Sequence, residues 1–139
     1  MRILLALDKF KGSLTAKEAS DAVVRGLRRG GFQGDIEVCP IADGGEGFTE
    51  AVLTALGGEW NEAPVHDAQG RPVLARYGMI QHAGHKEAVL EMSAASGLAM
   101  VSDLPLNPHT ASTRGTGEMM LHAMSNGAQR ILIGIGGSA

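Results

Sequence analysis

The sequence contains few of the residues that small proteins use as covalent or aromatic anchors. Its 139 residues include one cysteine, one tryptophan, one tyrosine and three phenylalanines. The single cysteine, Cys39, excludes a disulfide framework or a cysteine-rich metal centre within the chain. We expect it to be a small buried residue in a reducing compartment. The chain must therefore be held together mainly by an apolar core.

Excess positive charge and long apolar runs are also lacking. The formal net charge is −3 and the sequence pI is about 5.9, which predicts no nucleic-acid partner. The first apolar run, residues 3–7, is too short for a signal-peptide core or a membrane span. We therefore predict a cytoplasmic protein with no membrane partner. The glycine signatures of P-loop nucleotide binders and of dinucleotide-binding folds are absent too.

Glycine, in contrast, is abundant. The chain has 20 glycines, about twice the usual frequency of roughly 7%. They cluster at residues 44–47, 57–58, 115–117 and 134–137. Clustered glycine indicates sharp turns or close approach of the backbone to a ligand. This is typical of an α/β protein that binds a small molecule.

The first part of the chain shows an alternation of strands and helices. Residues 3–7 form a continuous apolar run, which predicts a strand buried on both faces of a parallel sheet, and residues 35–41 predict a second strand. Thr15 and Glu18 form a capping box before a helix that Gly30 ends. A second helix follows residue 47 and stops at Gly57. This β-α-β-α order predicts a doubly wound, Rossmann-like parallel sheet.

The pattern changes after residue 60. Alternating residues at 73–79 and an apolar run at 88–92 predict two further strands, the first of them half-buried. A helix over 116–126 and a strand over 130–135 follow. We therefore expect two parts: residues 1–60 as the N-terminal part of a Rossmann-like domain, and residues 61–139 as the start of a second or inserted α/β lobe, truncated.

Polar loops follow the first two predicted strands. The stretch "LDKFKGSLT" (7–15) and the stretch "IADGGEGF" (41–48) lie where ligands bind in open α/β sheets. Carboxylates beside exposed amides suit Mg²⁺–nucleotide or polyol chemistry. The alternative is that both are ordinary loops, with Asp43 as a helix cap. The candidate residues are Asp8, Lys9, Lys11, Ser13, Asp43, Gly44, Gly45 and Glu46.

Two more glycine turns carry candidate ligand contacts. "STRGTGE" (112–118) offers the fork of Arg114 and the amides of Gly115, Thr116 and Gly117, a suitable oxyanion cradle. An ordinary helix start is the alternative. "GIGGSA" (134–139) follows a predicted strand and resembles the other turns.

These four stretches, with "VLEMSAASGL" (89–98), resemble in content and order the type I glycerate kinase family over the whole chain. The resemblance implies ATP-dependent phosphorylation of D-glycerate to 2-phosphoglycerate, with Mg²⁺, by a longer two-domain α/β enzyme. The family pattern continues beyond Ala139, so we expect a fragment with an uncovered face that favours self-association. The alternatives are a catalytically inactive fragment and a small-acid or phosphate-binding module.

The resemblance also suggests roles for individual residues. We expect Asp43 to be the general base, Asp8 the second candidate for that role, and Glu46 a Mg²⁺ ligand. Lys11, the third catalytic candidate, and Arg114 would pair with the glycerate carboxylate or the phosphoryl group. The remaining predicted substrate- or phosphate-binding residues are Ser13, Gly44, Gly45, Gly115, Thr116, Gly117, Gly136, Gly137 and Ser138. One departure is Lys9, where the family usually has serine.

Overall fold

The structure is a computed structural model of the chain, and it describes residues 1–10, 12–105 and 107–139. It divides into two compact units, residues 1–43 and residues 44–139. The expected division into domains at residue 60 stays a prediction.

The first unit is built on a pair of parallel strands. Strand β1 (Arg2–Leu5) pairs with β2 (Asp35–Val38), and helix α1 (Ala16–Arg29) connects them. Both strands were predicted, although β2 is shorter than residues 35–41. The expectation that the first strand is buried on both faces is wrong, because Leu4 is 60% exposed. A two-stranded sheet with one helix covers only part of its surface. Cys39, expected to be buried, is exposed.

A capping box begins helix α1, as predicted. The Thr15 hydroxyl accepts a hydrogen bond from Glu18 N at 3.2 Å, and Glu18 Oε2 accepts one from Thr15 N at 2.8 Å. At the other end, Gly30 N donates to Gly26 O. The box satisfies amides that would otherwise lack an intrahelical partner.

The second unit is a four-stranded mixed sheet with helices. Its strands run in the order β3-β4-β5-β6, antiparallel except for the parallel pair β5 and β6. The elements are α2 (Phe48–Leu56), β3 (Glu59–His66), β4 (Pro72–His82), β5 (His85–Glu91), α3 (Ser93–Ser96), α4 (Arg114–Ser125) and β6 (Arg130–Gly134). The chain is thus of the mixed α/β class that the sequence predicted.

Helices cover both faces of β4 in this sheet. Helix α2 packs on β4 and β5, and a Cβ on Gly78 would lie 2.9 Å from Leu53 Cδ2. The opposite face forms a core in which Tyr77 and Leu90 pack with Met119 of α4. Residues 77–80 are consequently all buried, so the predicted half-buried alternation of this strand fails in its second half.

Strand β3 is missing from the sequence prediction because its signal is weak. Its sequence, EWNEAPVH, has only two buried apolar residues, Ala63 and Val65. Pro64 between them argues against a central strand, but β3 is the outer strand of its sheet, where proline is tolerated.

A buried carboxylate fixes the turn between β3 and β4. Asp67 accepts hydrogen bonds from Gln69 N, Arg71 N and Arg71 Nε at 2.9, 2.9 and 2.5 Å. Burial raises the pKa of Asp67, but the bonds from Arg71 and Gln69 outweigh burial and lower it overall. The arginine at the end of the turn therefore keeps this carboxylate charged.

Loss of the capping box should destabilise α1. We expect Thr15→Ala to cost about 1 kcal/mol, measured by urea unfolding and by faster amide hydrogen exchange in the first turn of α1. The control is Thr54→Ala, an exposed threonine inside α2, which should change stability by less than about 0.5 kcal/mol. Equal effects of the two changes would contradict the capping role.

Candidate active-site residues

Parallel pairing of the first unit continues into the loops that carry the predicted catalytic carboxylates. Beyond the strands, Cys39 N donates to Leu5 O at 2.8 Å and Ile41 N donates to Leu7 O at 3.1 Å. Asp8 follows the first of these segments and Asp43 the second. The two aspartates therefore stand on neighbouring loops at the carboxyl edge of the β1–β2 pair.

Lys9 is bonded to both of these aspartates. Its backbone N donates to Asp8 Oδ1 at 2.7 Å, and its Nζ lies 3.2 Å from Asp43 Oδ1. The Lys9 side chain is 17% exposed, whereas that of Asp43 is 58% exposed. Lys9, at the position where the family usually has serine, thus places its positive charge directly against Asp43, the residue predicted to be the general base.

The loop after Lys9 is a tight turn. Phe10 and Leu14 exchange backbone hydrogen bonds of 2.8 and 3.1 Å, and Gly12 has a φ of +75°. Ser13 Oγ donates to Phe10 O at 3.4 Å. Ser13 therefore stabilises its own turn. Lys11, predicted to be a phosphate partner, lies outside the described residues.

In the second unit, two glycine turns meet backbone to backbone. Gly136 N donates to Gly44 O at 2.9 Å. A Cβ on Gly136 would lie 2.7 Å from Gly45 N, and one on Gly134 would collide with Gly44 O. The predicted site residues Gly44 and Gly45 are brought together with Gly136 here, and glycine is required for this approach.

A carboxylate of β5 already satisfies one amide at the start of α2. Glu91 Oε1 accepts a hydrogen bond from Thr49 N at 2.7 Å. From the sequence, the exposed amides beside the carboxylates of this turn were expected to suit Mg²⁺–nucleotide or polyol chemistry. The Thr49 amide is therefore engaged, and the glycine turns before it are the remaining candidates.

The short helix α3 connects the glycine turns to the start of α4. On one side, Leu98 N donates to Gly137 O at 3.0 Å and Ala139 N donates to Ser96 O at 2.9 Å. On the other, Ser96 Oγ lies 2.8 Å from Thr116 Oγ1 in a buried pair. The hydroxyl of Thr116, a predicted ligand, thus serves this internal bond.

Glu118 organises the start of α4. It accepts hydrogen bonds from His66 N at 2.9 Å, from His66 Nδ1 at 2.9 Å and from Arg114 Nε at 2.7 Å. A carboxylate only accepts, so Nδ1 of His66 carries the proton. These bonds, chiefly that from the His66 ring, lower the pKa of Glu118. No role for His66 or Glu118 was predicted from the sequence.

The predicted amide cradle of α4 is partly occupied. Gly117 N donates to Thr113 O at 3.2 Å, and Arg114 N donates to Ser112 Oγ at 3.1 Å. Gly115 is buried where a Cβ would collide with His66 O. The Arg114 guanidinium of this segment is accessible to a ligand, since its side chain is 67% exposed.

The described part of the chain contains no cluster of three histidine, cysteine, aspartate or glutamate residues that could hold a metal ion. Mg²⁺ bound with nucleotide phosphates needs only one or two carboxylates and keeps several waters. Glu46, beside the glycine turns, could supply one such carboxylate.

Comparison with known proteins agrees with these motifs. The sequence model of the Glycerate kinase family matches residues 3–139. The chain belongs to the glycerate kinase family. It is 44% identical to the glycerate kinase of Bacillus subtilis strain 168 and 41% identical to the glycerate 2-kinase of Escherichia coli K12, over 139 residues in each case.

A solved structure of the same family confirms the fold. The crystal structure of a protein assigned as glycerate kinase 2 from Salmonella typhimurium LT2 matches 99% of the chain, with a TM-score of 0.77 and 39% identity. The chain spans 36% of the length of each of these three relatives. Activity of the whole enzyme is therefore a proposal for this chain.

The contact between the glycine turns can be tested with alanine. We expect Gly136→Ala to lower the free energy of unfolding by about 1–3 kcal/mol, because the new methyl meets backbone that cannot move aside. The control is Gly117→Ala in α4, where a Cβ meets nothing within 4 Å. That change should be neutral or stabilising by up to about 1 kcal/mol. Urea denaturation of both variants checks this, and equal stability would contradict the contact.

The bonds to Glu118 predict an acid-sensitive contribution to stability. Its pKa in the folded chain lies below the ordinary value of 4.5, so the contribution is fully present above about pH 4.5 and is lost as pH falls through the folded pKa. We expect Glu118→Gln to be less stable than the parent at pH 7, with a smaller gap at pH 3. Urea midpoints at both pH values measure the gap. An equal gap at both would contradict the prediction.

Proposed function

We propose that this chain takes part in transferring the γ-phosphoryl group of ATP to D-glycerate, giving 2-phosphoglycerate. Its family membership supports phosphorylation of glycerate, and the relative named glycerate 2-kinase supports position 2. The structural observation that carries the proposal is the adjacency of the Asp8 and Asp43 loops, bridged by Lys9. A cytoplasmic location follows from the proposed use of ATP.

Asp43 is the proposed general base. Phosphoryl transfer needs a group that orients the attacking hydroxyl and accepts its proton, and a mostly exposed carboxylate at a sheet edge suits that task. Lys9 limits the freedom of Asp43 through the 3.2 Å ion pair. Asp8, which accepts the Lys9 amide, is the second candidate.

The proposed anion contacts come from two places in the second unit. The backbone of Gly44, Gly45, Gly136, Gly137 and Ser138 would hold phosphate oxygens, as amides in consecutive turns commonly do. Arg114, with Nε fixed by Glu118, would present its outer nitrogens to the glycerate carboxylate or the phosphoryl group. Lys11 and Ser13 remain proposed phosphate partners on sequence grounds alone.

Mg²⁺ is the expected cofactor of this chemistry, since it neutralises charge on the transferred phosphoryl group. Glu46 is the proposed protein ligand. ATP phosphates and water would complete the coordination, in keeping with the absence of a three-ligand cluster among the described residues.

Among the described residues, none of the helices combines the length and the apolar composition that a membrane-spanning helix needs.

The role of Asp43 can be tested in a chimera. Residues 1–139 would replace the matching segment of the Bacillus subtilis relative, to which they align over their full length. We expect Asp43→Asn to reduce D-glycerate-dependent ADP release by about 10²-fold, the size of a general-base contribution. Asp35→Asn, at the start of strand β2, which precedes the Asp43 loop, is the control and should leave turnover unchanged.

Several outcomes decide between the proposed functions. Turnover of Asp43→Asn close to that of the parent would remove Asp43 from the chemistry. Phosphorus NMR identifies the product, because phosphorus couples to one carbon-bound proton in 2-phosphoglycerate and to two in the 3-isomer. The same assay on the 139-residue chain alone distinguishes an active chain from the inactive-fragment alternative. Titration of that chain with D-glycerate and with ATP then tests the binding-module alternative.

A further inference from the structure

One buried hydroxyl near the glycine turns has no hydrogen-bond partner. Ser93 is 5% exposed, and its Oγ is one of two buried side-chain polar atoms without a partner in the described structure; the other is Thr49 Oγ1. An unpaired buried hydroxyl is uncommon and destabilises a protein. Its presence therefore suggests a partner that arrives from outside.

The surroundings of Ser93 include a gap that glycine leaves open. Gly137 has a φ of +70°. A Cβ at this position would stand 3.4 Å from Ser93 Cβ and 3.6 Å from Glu46 Oε1. The serine and the carboxylate therefore border the same small space beside the Gly136–Gly137 turn. Any side chain at position 137 would fill that space.

The chemistry of these two groups selects the kind of ligand atom. A carboxylate oxygen only accepts hydrogen bonds, whereas a serine hydroxyl both donates and accepts. An alcohol hydroxyl can donate to Glu46 and pair with Ser93 at the same time. An unprotonated phosphate or carboxylate oxygen has no proton to donate to Glu46 and would need a cation, such as the proposed Mg²⁺, between the two groups. The gap is therefore suited to an alcohol.

We infer that Ser93 Oγ and Glu46 Oε1 bind a hydroxyl of the substrate, and that this is the 3-hydroxyl of D-glycerate. The inference rests on the proposed function, in which the 2-hydroxyl of D-glycerate is the phosphoryl acceptor. Ser93 is thus a specificity residue: it distinguishes D-glycerate from hydroxy acids that lack the second alcohol. A site built to bond an alcohol rejects an analogue without it, because its own polar groups are then left unpaired.

Two analogues and one substitution test this assignment. D-lactate lacks the 3-hydroxyl, and 3-hydroxypropanoate lacks the 2-hydroxyl. We expect Ser93→Ala to weaken binding of D-glycerate and 3-hydroxypropanoate by about 3- to 10-fold, which corresponds to the loss of one hydrogen bond. Binding of D-lactate should be unchanged. Calorimetric titration of the 139-residue chain measures the affinities, and the amide NMR signal of Gly137 reports contact at the gap.

Stability provides an independent readout. Removing an unpaired buried hydroxyl should leave the melting temperature of Ser93→Ala unchanged or raise it, so weaker binding cannot be ascribed to unfolding. The control is Ser20→Ala. Ser20 is also fully buried, but its Oγ donates to Ala16 O at 2.8 Å. That variant should bind D-glycerate normally and melt at a lower temperature.

The possible failures are distinguishable. Unchanged D-glycerate binding in Ser93→Ala, or an equal loss for D-lactate, would overturn the role of Ser93 and leave the proposed function standing. If the parent chain does not bind D-glycerate, the proposed function fails for this chain, and glycerol becomes the probe. A glycerol-induced shift of the Gly137 amide that disappears in Ser93→Ala would support the binding of an alcohol at Ser93 and overturn only its assignment to D-glycerate, and no such shift would overturn both.

Discussion

The close contact between two glycine turns is the constraint on which the site of the second unit depends. The hydrogen bond from Gly136 N to Gly44 O, 2.9 Å long, holds the start of α2 against the end of β6. A side chain at residue 134 or 136 would strike the backbone of residues 44–45. Glu46, Ser93 and the amides of the turns can lie near one another only because this contact has no side chains in it.

Several polar residues of the family motifs make hydrogen bonds within the protein. Glu91 accepts the Thr49 amide, Glu118 accepts the His66 amide, and Ser96 pairs with Thr116. These bonds connect β5, α3 and α4 around the glycine turns. The motif residues therefore fall into two groups. One builds the framework, and the other, including Asp8, Asp43 and Ser93, remains for chemistry under the proposed function.

The features predicted correctly from the sequence are those whose signal lies within a few neighbouring residues. The capping box of Thr15 and Glu18 spans three residues, and the glycines that end α1 and α2 act on the turn just before them. Prediction was less successful where the burial of a residue depends on elements that are distant in the sequence. Residues 77–80 are all buried because helices lie on both faces of β4, and the outer strand β3 contains a proline that its edge position tolerates. Cys39 was expected inside and lies exposed.

By itself, the sequence determined the α/β class, the order of most elements, and the loops that carry the candidate site, since composition and periodicity act within a few residues. The tertiary structure decided which side chains meet. Lys9 reaches Asp43 across 34 positions, His66 reaches Glu118 across 52, and the Gly44 and Gly136 turns meet through the packing of α2 on the sheet. Such pairings depend on strand register and on the burial of whole elements, so a local sequence pattern does not predict them.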